Sequence, residues 1–394
     1  MIITRTPYRI SFFGGGTDYP GWYRLHGGAV LSTTIDKYCY ISCRFLPPFF
    51  ENRYRIVYSK IENVMKIDDI VHPAVREGLR FFKQERGVEI HHDGDLPARS
   101  GMGSSSAFMV GLMHTLHALN GQMPSKKQLA LESIDVEQNM IRENVGSQDQ
   151  VAAAYGGFNH TVFHESGEIS VRPVTLAPER FAELNSHLML FYTGIKRTAS
   201  DVAASYTHNL DAKKRQLRIL KDLVDESITV LTHRHPIEDF GELLNEAWLV
   251  KRSLSSTVTN PEVEAIYARA QAAGAIGGKL LGAGGGGFML LFVPPDRHAE
   301  VSDVLDGLVQ VPFDFEFGGS QIIFFEPEKN HDHIEACRAG RILHPFHELD
   351  SVVSPFVPAT PRSESATHFD VHDLSHPTTT KGSGTPSHVH STRP

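Results

Sequence analysis

Apolar and polar positions change their period several times along the chain, and each change marks an element. Residues 1–13 read as a strand that runs into Gly14-Gly15-Gly16. Residues 29–46, rich in β-branched and aromatic side chains, read as one or two strands, and 54–59 as another. The pattern then turns helical over 72–86, returns to a short strand over 88–92, and breaks in a Pro-Gly-Ser loop over 97–106. A helix follows to about Leu119, with apolar positions at Met109, Leu112, Met113 and Leu116. Helices are predicted over 125–142 and 147–155, and strands near 158–163, 169–176 and 187–193.

The second half has another character. Residues 199–273 are predicted almost wholly helical, with breaks at His235-Pro236 and Asn260-Pro261. A glycine-rich loop over 277–287 leads into the apolar strand Phe288 to Val293. A helix over 296–308 and strands near 312–317 and 321–326 complete the pattern. The change of character places a domain boundary near 195, giving domains over 1–195 and 196–345. From about Ser351 the chain is Ser, Thr, Pro and His with few large apolar groups. Such a stretch cannot bury enough surface to offset its chain entropy, so 351–394 is expected to be a disordered tail.

Composition bounds the function. The 394 residues are 41% hydrophobic and 21% charged, as in an ordinary globular enzyme. The formal net charge of −8 gives no electrostatic footprint for nucleic acid. No apolar run reaches the length of a membrane span, and no secretory segment opens the chain. With only three cysteines, Cys39, Cys43 and Cys337, a reducing compartment fits better than a disulfide scaffold. Cytoplasmic location is the expectation.

Three loops carry candidate chemistry. The first runs from Pro97 through Gly101, Met102, Gly103, Ser104, Ser105 and Ser106 into a helix. Glycines let backbone N–H groups approach an anion, and a helix N-terminus adds unpaired donors and partial positive charge. The serine hydroxyls suit phosphate oxygens or hydrated magnesium. A plain serine cap is the bland alternative, but six Gly and Ser among seven residues favour a phosphate site.

The second loop, Gly282 to Gly287, matches G-x-G-x-x-G, yet a strand follows it where a dinucleotide fold needs a helix. Its glycines instead suggest close approach to a ligand or to another loop. A Walker A loop is absent, because Gly278-Lys279 is followed by Leu280. The third is Gly146-Ser147-Gln148-Asp149-Gln150 at a helix start. Asp149 suits either an ordinary first-turn carboxylate or a catalytic one. Glu137 lies twelve residues earlier; taken alone, a solvated face describes it better than a metal ligand.

Together and in this order, these segments resemble the galactokinase, homoserine kinase, mevalonate kinase and phosphomevalonate kinase (GHMP) superfamily. Pro7 to Tyr19 is similar to its first motif. Pro97 to Ala107 is similar to its phosphate loop, with Met102 where Leu is usual, and Lys279 to Gly287 to its third motif. The resemblance implies an α+β protein, with a ribosomal-protein-S5-like N-terminal domain and a ferredoxin-like C-terminal domain. It also implies ATP and Mg²⁺ as cofactors. By motif position, Asp149 takes the place of the catalytic aspartate, and Arg9 that of the arginine that helps ionise the acceptor hydroxyl. Ser105 and Glu137 take the places of the magnesium ligands. The acceptor is expected near Gly14, Gly15, Gly16, Thr17 and Asp18, with Gly284 and Gly285 closing the site.

Where galactokinases read G-E-H-T-D-Y, this chain reads Gly14-Gly15-Gly16-Thr17-Asp18-Tyr19, which argues against simple galactose recognition. The opening Arg5-Thr6-Pro7 and the run from Gly146 to Asn159 resemble the D-glycero-D-manno-heptose 7-phosphate kinases, which phosphorylate an anomeric hydroxyl. The expected partner is therefore a sugar or sugar phosphate. Fucose-, arabinose-, galactose- or glucuronate-type 1-kinases are the nearest alternatives. A catalytically silent sugar binder and an ATP-dependent decarboxylase are the more distant ones. Arg5, Lys37, Lys196 and Arg197 are the basic residues near the motifs that could grip a distal phosphate.

Overall fold

The computed structural model describes residues 1–327 except 48, 49, 51, 99, 196–209 and 234. The expected tail, the stretch 328–345, Lys196, Arg197 and Cys337 lie outside the described residues.

Two long strands carry the fold. β1 (Ile2–Phe13) and β2 (Gly28–Phe45) pair antiparallel along most of their length, joined through the glycine turn and the short helix α1 (Pro20–His26). At its start β1 also pairs with β13 (Gln321–Phe325). The far edge of β2 serves three partners in succession. Its first residues pair with β6 (Asn159–Phe163), Thr34 and Ile35 with β12 (Phe315–Glu316), and Cys39 to Phe45 with β5 (Val88–Gly94). β3 (Tyr54–Val57), β4 (Ile61–Val64) and β7 (Ile169–Pro173) complete a nine-stranded sheet, antiparallel except where β3 runs with β5.

A second, four-stranded antiparallel sheet among the described residues has the order β11-β8-β10-β9. It comprises β8 (Leu188–Tyr192), β9 (Gly277–Leu280), β10 (Phe288–Phe292) and β11 (Val309–Gln310). With the helices between them, the two sheets make the protein α+β, as expected. Strand pairing does not follow the expected boundary near 195, however. β8 precedes 195 yet belongs to the second sheet, while β12 and β13 return to the first. Hydrophobic periodicity marks strands but carries nothing about which distant strand each will pair with.

Other differences are local. The helices α1 and α6 (Pro178–Ser186), and strand β4, were not legible as periodic runs. β9 occupies the first part of the expected glycine loop. The helix expected over 125–142 is α4 (Lys126–Asp135), continued as a π-helical turn over Val136–Ile141 that ends at Arg142 with φ +65°.

The core is continuous between the sheets. Phe12 of β1 meets Phe240 edge-on at 5.5 Å, and Phe13 meets the same ring at 5.1 Å. Phe240 lies on α8 (Glu238–Arg252) and reaches Phe292 of β10 at 6.1 Å. All four rings are fully buried, and such contacts add to the burial of the rings themselves. α7 (Lys214–Thr232) packs on α8, and Tyr267 of α9 (Pro261–Ala272) donates to Asn245 of α8 at 2.7 Å. The helix that follows the serine loop, α3 (Ser104–Leu119), packs on β1 and β2. It lies close because Gly111 presents no side chain there, and Thr4 Oγ1 meets Gly111 O at 3.1 Å and Thr115 Oγ1 at 2.8 Å.

This seat can be tested. A Cβ on Gly111 would lie 2.9 Å from Thr6 Oγ1 and 3.3 Å from Ile41. Gly111→Val should therefore lower unfolding free energy by about 1–3 kcal/mol, as overpacking a full core does. Urea denaturation checks this, with an unchanged midpoint counting against the close seat.

Candidate active site

The phosphate-type loop and the glycine-rich loop meet backbone to backbone. A Cβ on Gly101 would lie 2.6 Å from the Leu281 carbonyl oxygen, and one on Gly282 would lie 2.6 Å from Gly101 Cα. One on Gly287 would lie 2.1 Å from Ser100 O, which accepts a hydrogen bond from Phe288 N–H at 3.1 Å. The glycines are thus used for loop-to-loop contact.

Beside this junction a cavity of about 810 Å³ opens. Its walls include Gly101, Gly103, Ser104, Ser105 and Ser106, then Gly15, Gly16, Asp18 and Asp149. Gly103, at φ +72°, starts α3, and no side chain caps the helix. The serines are therefore not acting as the cap that the bland reading supposed.

Arg9 organises the centre. Its Nε donates to Asp149 Oδ1 and its Nη2 to Oδ2, each at 2.7 Å, while Nη1 donates to the Gly101 carbonyl at 2.7 Å. The backbone N–H of Arg9 donates to Met102 O at 3.2 Å. A planar fork on a carboxylate fixes both partners. Asp149 stands in the first turn of α5 (Gln148–Tyr155), and its side chain keeps 23% of its exposure.

Asp18 is sealed in beside it. Its Oδ1 accepts from Gly16 N–H at 2.9 Å and its Oδ2 from Gln148 N–H at 3.2 Å. Only glycine fits opposite, since a Cβ on Gly146 would lie 1.9 Å from Oδ2. Burial, and then the Asp149 charge, push the Asp18 carboxyl up to about 6.

Glu137 sits in the π-helical turn beneath the serines. Ser106 Oγ donates to its Oε2 at 2.8 Å, Gln150 Nε2 donates to the same oxygen, and Ser105 Oγ reaches Oε1 at 3.4 Å. A π turn inserts a residue and re-aims the side chains around it, which is common at functional sites. Among the described residues no cation pairs with Glu137, and burial pushes its carboxyl up to about 7. A buried acid without a counter-charge, within 3.4 Å of two serine hydroxyls, fits a divalent cation. No group of three or more His, Cys, Asp or Glu gathers among the described residues. Magnesium is commonly held by one or two carboxylates, with substrate phosphates and water completing its shell.

Several expected site residues lie elsewhere. Pro97 is exposed and off the cavity wall, and Met102 is buried in the core. Gly14 makes the turn at φ +83°, against Ala29 O, and Thr17 Oγ1 is occupied by Gly14 O and Ala29 O at 2.8 and 3.0 Å. Gly284 and Gly285 pack on Val258, so Gly282 and Ala283 line the cavity instead. Arg5 bonds Gln321 and Lys37 bonds Asp36, both away from the cavity wall.

Other residues went unread in the sequence. Ser11 and Gln148 line the cavity and bond each other at 2.7 Å. Lys251 and Lys279, both buried, line it too. The readable signal for Lys251 was its position on the apolar stripe Leu244, Ala247, Trp248.

The chain is similar to known proteins. The family model described as GHMP kinases N terminal domain matches residues 69–157, and the one described as GHMP kinases C terminal matches 228–307. The chain is 29% identical over 332 residues to a D-glycero-alpha-D-manno-heptose 7-phosphate kinase of Campylobacter jejuni, covering 80% of this chain and 96% of that protein. It is 23% identical to a galactokinase of Pyrococcus furiosus, covering 77% and 92%. The crystal structure of a D-glycero-D-manno-heptose 1-phosphate kinase from Bacteroides thetaiotaomicron has the same fold. Its TM-score is 0.68 at 21% identity, covering 83% of this chain and all (100%) of that one.

Glu137 makes stability depend on pH. Unfolded, it ionises near its ordinary 4.5; folded, not until about 7. In between, the folded state keeps a proton that the unfolded chain has lost. Its contribution is therefore full below about 4.5 and falls as pH rises toward 7. The loss should be on the order of 2–4 kcal/mol. Asp18 adds a smaller fall in the same direction as pH rises from its ordinary 3.8 toward about 6. Glu137→Gln should flatten the larger part of this slope in denaturation at pH 4.5 and 7.5, and an identical slope would argue against a buried, uncompensated acid.

Proposed function

As the chain belongs to the GHMP kinase superfamily and is a sugar kinase, we propose that it transfers the terminal phosphate of ATP to the anomeric hydroxyl of D-glycero-D-manno-heptose 7-phosphate. The observation that carries the reading is the Arg9–Asp149 pair. It stands between the serine loop and the glycine turn, on the wall of one cavity. The similarity to the Campylobacter jejuni kinase supports the acceptor. So does the wall at Gly15 and Gly16, where no bulky side chain projects toward the acceptor. The buried cysteines Cys39 and Cys43 suit a reducing cytoplasm. Among the described residues no helix is long and apolar enough to cross a membrane.

In this reading the backbone of Gly101 and Gly103, with the N-terminus of α3 and Ser104, cradles the nucleotide phosphates. The aromatic end of the cavity receives the base. There His72 and His92 each face Phe108 with ring centroids 4.9 Å apart, and burial depresses both imidazoles toward the neutral form. Ser105 and Glu137 would hold Mg²⁺, which when bound would neutralise charge on the phosphates. Asp149 accepts the proton of the acceptor hydroxyl as its oxygen bonds to phosphorus and the bond to ADP breaks. Both Asp149 oxygens face Arg9, and each retains a lone pair for the incoming hydrogen. Arg9 stabilises the oxyanion and holds the carboxylate in its plane. Asp18 and Gln148 shape the acceptor side. Such transfer depends chiefly on positioning and charge, so few groups are required.

Asp149→Asn should retain nucleotide binding and lose about 10²–10⁴-fold in turnover, the usual contribution of a general base. ADP release and calorimetry with a non-hydrolysable ATP analogue test the two halves. Near-normal turnover in a folded variant would remove Asp149 from the role.

Magnesium offers a separate check. Mg²⁺ should raise the melting temperature of the nucleotide-bound protein at pH 8 and should do so much less in Glu137→Gln. Equal shifts would move the metal away from Glu137.

The acceptor is read from a panel. The heptose 7-phosphate should exceed free heptose, fucose, arabinose, galactose and glucuronate in kcat/KM by more than about a hundredfold, the worth of two charge-assisted hydrogen bonds. A neutral or uronic sugar in first place would replace the acceptor while leaving the kinase chemistry intact.

A further inference from the structure

The floor of the cavity carries more positive charge than the roles above use. Lys251 comes from the buried face of α8 and Lys279 from β9, and both reach the cavity beneath the junction of the two loops. An ammonium has three N–H donors. Lys251 Nζ gives two of them to carbonyl oxygens, Leu280 at 2.9 Å and Gly282 at 2.5 Å. Lys279 Nζ gives one, to Phe12 O at 2.7 Å. One donor on Lys251 and two on Lys279 thus have no protein acceptor, although the side chains are only 7% and 5% exposed.

No carboxylate balances them. Among the described residues neither lysine forms an ion pair, and Asp149 is already held by Arg9. Asp18 faces backbone N–H groups. Burial first, and then the nearby charge of Arg9, depress both lysines, Lys251 to about 7, and the Lys251 charge acts on Lys279 as well. A lysine that served only to tie down a loop would need neither the cavity wall nor a second cation beside it. Buried amines with unused donors, on the wall of a cavity, call for an anion, which would also favour their charged form.

We propose that Lys251 and Lys279 form an anion-binding floor beneath the two glycine loops that takes a terminal phosphate dianion, supplied either by the nucleotide or by the acceptor sugar. The inference rests on the kinase reading above. It adds residues that the three sequence motifs leave without a role. The dianion supplies the missing acceptors and counter-charge, so its arrival relieves the repulsion between the lysines. Lys251 also bonds the carbonyl of Gly282, which touches Gly101. A bound phosphate is thereby linked to the seam where the two loops close.

The test uses Lys251→Met and Lys279→Met in the full-length chain, with melting curves to establish folding. ATP, ADP and a non-hydrolysable ATP analogue are titrated by calorimetry, and kcat/KM is measured for the phosphorylated and the neutral sugar. If the floor takes the nucleotide's terminal phosphate, affinity for the ATP analogue should fall about tenfold or more, with ADP affinity and sugar preference unchanged. If it takes the acceptor's phosphate, preference for the phosphorylated sugar should fall by a similar factor, with analogue affinity unchanged. Folded variants that move neither quantity by more than about threefold overturn the proposal. Should either variant fail to fold, the wild-type protein carries the test through reductive methylation of its amines with and without inorganic phosphate. Phosphate should slow labelling of Lys251 and Lys279 about fivefold or more relative to surface lysines, and equal labelling overturns the floor. A wild-type protein that binds no nucleotide would instead defeat the kinase reading itself.

Discussion

The guanidinium of Arg9 is the point on which the site is assembled. One planar group, buried at the centre of β1, bonds both oxygens of Asp149 and the carbonyl of Gly101. Three segments far apart in sequence are thereby held in one plane: the first strand, the serine loop and the start of α5. Removing Asp149 would leave the buried guanidinium uncompensated, which costs far more than an exposed pair contributes. The bidentate geometry also explains why lysine would not substitute, since a point charge fixes distance but not orientation.

Around that plane the dominant constraint is the close approach of backbones. Gly101, Gly282 and Gly287 bring two loops within a distance that any Cβ would violate, and Gly146 does the same opposite Asp18. Glycine there loses conformational freedom on folding, a cost that only the tertiary contacts repay. The result is a cavity in which charges keep poor access to water. The Glu137 carboxyl rises to about 7 and the Lys251 ammonium falls to about 7, each through burial. A site that holds acids and cations away from their preferred states is prepared for ligands of opposite charge.

Much of the fold was legible. The strands that became β1, β2, β5 and β10 were read within a few residues: β1 and β2 are long and rich in β-branched and aromatic residues, β5 alternates at its start, and β10 is an unbroken apolar run. α3, α5 and the helices broken at His235-Pro236 and Asn260-Pro261 were equally clear, since proline leaves a plain mark. Short elements without a full period, such as α1, β4 and α6, were not. Arg9 and Asp149 as catalytic candidates, and Glu137 as a magnesium ligand, were named through the resemblance of the three motifs to the kinase superfamily. Pro97, Met102, Gly14, Thr17, Gly284 and Gly285 share those motifs but serve turns and packing, a distinction that a motif does not carry.

The sequence by itself determined the local chemistry: which loops could approach an anion, that a helix would begin at the serines, and that Asp149 would stand in the first turn of another helix. These follow from backbone freedom, helix termini and periodicity, all of which act over a few residues. Tertiary structure alone decided that β8 would join the second sheet while β12 and β13 returned to the first. It also decided that Glu137 would be sealed beneath Ser105 and Ser106, and that Lys251 and Lys279 would line one cavity with the serine loop from the other half of the chain. Desolvation and strand pairing depend on groups brought together from distant positions, and neither is encoded in any one stretch.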